Sequence, residues 1–201
     1  MQLDTFVWKD FKMCKKLKSL NGLTPDFILD TYWNKDRNVY PIDISKILFN
    51  MGIRVQPFDF SKYINDVNDR ILGAMVANEE DLVLLYGQDE TNSRNRFTLA
   101  HELAHCCLTH INEKRMPYIE YRHDGIVEDR NEIRANEFAA ELLIPLKELC
   151  KVLASEYHDT IPPVTELAEM FKVSHNVMKE RLRCLKIPYI DEYNRKMFCL
   201  E

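Results

Sequence analysis

Glycine is scarce, with 5 in 201 residues, and there are only 8 prolines, which excludes collagen-like and low-complexity architectures. No stretch approaches the roughly 20 apolar residues that a membrane-spanning helix needs. An apolar leader is also missing. Residues 1–20 (MQLDTFVWKDFKMCKKLKSL) scatter charge where its core would lie, so a cytoplasmic location without membrane contact is expected. Positive charge is not in excess: 27 Lys and Arg face 32 Asp and Glu, a formal net of −5. That argues against a nucleic-acid coat or a polybasic membrane binder, both driven by phosphate neutralisation, while leaving room for a small DNA-reading patch. None of the six cysteines (Cys14, Cys106, Cys107, Cys150, Cys184, Cys199) stands in a C-x-x-C pair. They read as reduced, small apolar residues rather than a disulfide framework.

What remains is the composition of an ordinary globular chain, 46% hydrophobic and 29% charged, enough for one compact domain or one domain with an appendage. Residues 1–20 have helical spacing, and residues 26–40 are ambiguous. A helix opening at Pro41 carries Ile44, Ile47, Leu48 and Met51 on one face and stops at Gly52. Ile53–Val55 reads as a short strand. Residues 71–77 and 82–86 read as a hairpin around Asn78–Asp81. Residues 89–93 offer cap chemistry for a long helix over about 94–109. A polar loop over 112–126 precedes a second long helix over about 127–143, ended by Pro145. Further helices are expected over about 146–156, 164–171 and 174–185. Helix, small antiparallel sheet, then helices makes an α+β fold, divided into an N-terminal helical arm (1–40), a core (41–145) and a C-terminal helical region (146–201).

Chemistry concentrates at His101-Glu102-Leu103-Ala104-His105. On a helix, i and i+4 differ by about 40°, so His101 and His105 project side by side, the separation at which two imidazoles bind one zinc ion. Glu102, about 60° from the direction of His105, reaches a metal-bound water without ligating. The motif sits among Phe97, Leu99, Ala100, Leu103, Ala104, Cys107 and Leu108, where two histidines and a glutamate without a task would be costly. His110, Cys106 and Cys107 point away on the helical wheel. The second helix carries a polar stripe at Glu128, Glu132 and Asn136. Glu132 is the leading third ligand, with Glu128 and Glu137 as rivals, and Asn136, one turn beyond Glu132, would accept an N–H from a ligand histidine. Zn2+ with three protein ligands leaves a position for water, the catalytic arrangement.

RFTLAHELAH at 96–105 followed by EIRANEFAAELLIP at 132–145 resembles the ImmA/IrrE family of metallopeptidases, and the resemblance extends over about 41–185. It implies a zincin-like metallopeptidase fold with two long metal-bearing helices, and a zinc metallopeptidase core over 41–145. His101, His105 and Glu132 would be the zinc ligands, Glu102 the catalytic base and Asn136 a supporting residue. Ala104 stands where many members carry glycine. The chain looks like the short members found on phages and mobile elements, which resemble proteases that cut a helix-turn-helix repressor and so relieve repression. The expected function is therefore a zinc-dependent endopeptidase with a specific protein substrate.

The oxyanion needs a second donor beside zinc, and Tyr118, Tyr121 and His123, between the two helices, are candidates. Arg96 and Arg134 read as ion-pair partners. Residues 166–185 (ELAEMFKVSHNVMKERLRCL) match the apolar skeleton of a helix-turn-helix pair, with Ser174 as cap and Lys172 where glycine is usual. His175, Asn176, Lys179 and Arg183 would lie on its open side. Five basic against three acidic residues over 164–186 is a weak charge for DNA, so a DNA-binding or partner-binding regulator that does not cleave is the alternative function.

Overall fold

The structure, a computed structural model, describes residues 15–33, 40–61, 69–77, 81–88, 90–108, 118–123, 130–194 and 196–198. It is α+β. Helices α1 (Lys15–Leu20), α2 (Pro25–Tyr32) and α3 (Ile44–Asn50) lead into strands β1 (Arg54–Phe58), β2 (Asp69–Ala77) and β3 (Leu82–Gly87). Then come α4 (Asn92–Cys107), β4 (Tyr118–His123), α5 (Arg130–Leu143), α6 (Leu146–Glu156), α7 (Val164–Phe171), α8 (His175–Cys184), β5 (Tyr189–Asp191) and β6 (Lys196–Phe198).

Several elements depart from the sequence expectations. Pro41 lies outside α3, which starts where the Asp43 carboxylate accepts from Lys46 N at 3.1 Å. The four-stranded sheet has the order β1-β3-β2-β4 and is mixed, not purely antiparallel. β2 pairs antiparallel with β3 and with β4, but β1 pairs parallel with β3, from Arg54 opposite Val83 to Phe58 opposite Gly87. A hairpin gives itself away by its tight turn, whereas a parallel neighbour joins through packing between distant segments. β4 lies inside the stretch expected to be loop, and the two-stranded β5–β6 ribbon was not foreseen. α5 begins at Arg130; residues 127–129 of the expected helix, residues 1–14 of the N-terminal arm and Glu128 lie outside the described residues.

One buried apolar cluster runs from Leu17 and Leu20 through Ile44, Ile47 and Leu48 to Phe171, Met178, Leu182 and Tyr189, joining all three stretches of the chain. α4 is its axis. Its N-cap is Thr91, whose hydroxyl accepts from Arg94 N at 3.4 Å. From Thr98 to Cys107 every residue of α4 is buried, because β2 and β3 pack on one side and α5, α3 and α1 on others. Gly22 N donates to the Cys107 carbonyl at 2.8 Å and so anchors the end of α4 to the turn after α1.

The C-terminal pair turns at Lys172, whose φ of 53° is left-handed. A non-glycine residue there costs about 1–2 kcal/mol. The Val173 N–H bonds to the Ala168 carbonyl at 3.0 Å, and Ser174 caps α8 by accepting from Val177 N at 3.3 Å. Asn176 and Arg183 are exposed as expected, but His175 and Lys179 are not on an open face. The buried carboxylate of Asp191, on β5, lies 3.5 Å from both His175 Nε2 and Lys179 Nζ, and the His175 ring packs on Tyr193. Arg96 feels the charge of Asp43 and also makes backbone contacts. It reaches from α4 to donate to the carbonyls of Lys172 (3.2 Å) and Phe171 (3.4 Å), binding the pair to the core. Arg134 is exposed on α5.

Candidate metal centre

Helical periodicity puts His101 and His105 on one side of α4, and their Nε2 atoms lie 2.9 Å apart. Both rings are buried, at 4% and 0% exposure. α5 packs along α4, with Ala135, Phe138, Ala139, Leu142 and Leu143 buried on its apolar face. That packing carries Glu132 to the histidines: its Oε2 lies 3.2 Å from His101 Nε2 and its Oε1 3.4 Å from His105 Nε2. Among the described residues, this trio is the one group of His, Cys, Asp and Glu side chains arranged to hold a metal ion. With both rings carrying their proton on Nδ1, the two Nε2 atoms and the carboxylate would turn lone pairs toward one point, which is the electronic demand of a cation.

Glu137, a rival third ligand, is exposed elsewhere on α5, and Glu128 lies outside the described residues. Asn136 is half-buried, one turn beyond Glu132. Cys106 and Cys107 are buried away from the trio. The Cys106 thiol is 3.2 Å from Met75 Sδ, and burial pushes the Cys107 thiol up to about 12. Tyr118, Tyr121 and His123 fall on β4, whose backbone pairs with β2; their side chains lie outside what is described.

Glu102 is buried at 1% exposure, next to the ligand pair but outside the trio. What makes room for it is Gly73 on β2. A Cβ at Gly73 would stand 2.5 Å from Thr98 Cγ2 and 2.8 Å from Glu102 Oε1, so strand and helix touch backbone to side chain here. The sequence signal for this was a lone glycine inside the apolar run ILGAMVA, which marks a bulge or a close approach. β2 is indeed irregular at that point: Ile71 pairs with Tyr121 and Ala74 with Ile119, so β2 carries one residue more than β4 between them. A cleft opens beside it, lined by Leu72, Gly73, Arg94, Phe97, Thr98, His101 and Glu102. Leu72 and Phe97 were not singled out for it from the sequence.

The sequence model of peptidase family M78, the IrrE N-terminal-like domain, matches residues 50–183. The chain belongs to that family. The match takes in the sheet, the trio on α4 and α5 and nearly all of the C-terminal pair, so this IrrE-like chain is a member of a metallopeptidase family and carries a possible metal-binding trio. No curated protein matches it.

Proposed function

We propose that the chain is a zinc-dependent endopeptidase in which His101, His105 and Glu132 hold the ion and Glu102 is the general base. The observation that carries this reading is the convergence of three ligand side chains from two helices, with the imidazole Nε2 atoms 2.9 Å apart and the two Glu132 oxygens 3.2 Å from His101 Nε2 and 3.4 Å from His105 Nε2. Nitrogen and oxygen ligands at about 2.0–2.2 Å from a tetrahedral centre lie about 3.3–3.5 Å from one another, so the trio fits zinc with small adjustments. A zinc ion there supplies Lewis acidity, bringing water into reach of deprotonation near neutral pH and polarising a carbonyl. Glu102 takes the proton from the attacking water onto a carboxylate oxygen and delivers it to the departing amine nitrogen. Its burial keeps bulk water from competing for that proton. The N–C bond breaks as the amine is protonated, and Glu102 returns to its carboxylate form. Asn136 supports a ligand histidine, and Tyr118, Tyr121 or His123 supplies a further donor to the oxyanion.

The substrate of this reading is a protein, and the resemblance to the short phage and mobile-element members makes a helix-turn-helix repressor the candidate, cut in the cytoplasm. No described helix is long and apolar enough to cross a membrane. DNA reading by α7–α8 draws no support from the geometry, since Asp191 occupies His175 and Lys179.

The test is zinc content together with cleavage of candidate helix-turn-helix repressors, using Glu102→Gln as control. Glu102→Gln should retain zinc and lose about 10²–10⁴-fold in rate, the usual worth of a general base. Equal cleavage by both proteins refutes the assignment. Formation of an intact one-to-one complex without cleavage would favour the partner-binding regulator.

A further inference from the structure

Strict alternation along β2 would send every second side chain to one face. Gly73, Met75 and Ala77 obey it: Gly73 abuts Thr98 and Glu102, Met75 meets Cys106, and all three are buried. Leu72 should then face away from α4. Leu72 nonetheless lines the same cleft as Gly73, Thr98, His101 and Glu102, at the point where the extra residue of the β2 bulge falls between Ile71 and Ala74. Bulges re-aim side chains in this way and interrupt the ladder to the neighbouring strand.

The cleft is shallow, about 30 Å³ as a cavity and about 340 Å³ with the open solvent at its mouth, so it takes the tip of one side chain rather than a large cofactor. Gly73 against Thr98 closes its depth. Leu72 and Phe97 give it apolar walls, and both are half-buried, hence reachable. Among the described residues of its lining, Arg94 is the one Lys or Arg; it is matched by Glu90 at 2.9 Å and sits at 46% side-chain exposure, so it offers an acidic group little net attraction. The polar end of the cleft is His101 and Glu102 themselves, the groups beside which a scissile peptide bond must lie.

Granting the peptidase reading proposed above, on which this rests, we infer that Leu72 and Phe97 are specificity-determining residues holding an apolar substrate side chain next to the scissile bond. The occupant is a leucine-, methionine- or phenylalanine-sized group. A charged side chain would lose its hydration against these walls without gaining a partner.

The experiment uses the full chain loaded with zinc and a library of randomised decapeptides, with cleavage sites read by mass spectrometry. Wild type should cut with one dominant apolar position beside the broken bond. Leu72→Ala and Phe97→Ala should each flatten the preference for leucine over alanine there by about tenfold, the scale of small changes in an apolar pocket. Leu72→Asp should lower cleavage of the best apolar peptide by about 100-fold and raise relative cutting beside lysine or arginine. Zinc content and helical circular dichroism should stay at the wild-type level in all three. Binding of the best peptide to Glu102→Gln, measured without turnover, should weaken in the same order when the substitutions are added. If wild type cuts but the variants keep its profile and its affinity, the inference is overturned and the peptidase reading survives. If wild type cuts neither the library nor the candidate helix-turn-helix repressors, both fall.

Discussion

The helix pair α4–α5 and the helix pair α7–α8 both carry histidines and both bring a carboxylate to them, with opposite results. In the first, Glu132 stands 3.2 and 3.4 Å from two imidazole nitrogens that are 2.9 Å from each other, so the three side chains converge as a group that could hold a metal ion. In the second, Asp191 meets Lys179 as well as His175, and the positive charge comes from the protein itself. A polar cluster whose charges cancel internally is a fastener. One whose lone pairs face each other needs an ion from outside.

The comparison breaks most severely at Glu132. Glu132→Ala should reduce zinc affinity by more than the roughly 10–100-fold that loss of a mere supporting group costs, while Glu137→Ala leaves it unchanged. Isothermal titration of both variants checks this, and equal losses would put the exposed and the converging glutamate on the same footing. Next comes Gly73→Ala. Its Cβ enters at 2.5 Å from Thr98 Cγ2 and 2.8 Å from Glu102 Oε1, so it should cost about 1–3 kcal/mol of stability and depress kcat with zinc content intact. Thermal melting and rates separate the two effects.

The fastener is sharpened by milder changes. Arg96→Ala removes two hydrogen bonds to the end of α7 and should lower stability by about 1–3 kcal/mol, seen as faster hydrogen exchange in 164–191 with the metal trio undisturbed. The smallest effect is pH-dependent. The side-chain amide of Asn194 (2.7 Å), then its backbone N–H, hold the Asp191 carboxyl below its ordinary value, with Lys179 and His175 adding to this against the opposing effect of burial. A lowered folded pKa means a contribution complete above the ordinary aspartate value of about 4 and lost as pH falls through the folded value. The melting-temperature advantage of wild type over Asp191→Asn should therefore persist at pH 6 and fade below about pH 4.

Much of the fold could be read along the chain because it rests on local physics. Hydrophobic spacing and cap residues located α4, α6, α7 and α8 to within about two residues. The polar tetrad Asn78–Asp81 in the sequence announced that β2 and β3 would pair antiparallel. The failures share a cause. β4 hides in a polar stretch, the parallel partner β1 has no turn to mark it, and β5–β6 is short and half exposed. In the site, the His101–His105 couple and the candidacy of Glu132 could be read from the residues, but the wall formed by Leu72 and Phe97 could not. Its existence depends on one unpaired residue in β2 relative to a strand far along the chain.

The order of residues alone dictated which donors exist and that two of them stand one turn apart, since a helix repeats every 3.6 residues wherever it forms. Folding in three dimensions chose Glu132 over Glu137 on α5, pressed Gly73 onto Glu102, and turned His175 and Lys179 toward Asp191. Those outcomes depend on packing between distant segments, where a shift of one residue in register exchanges a buried face for an open one.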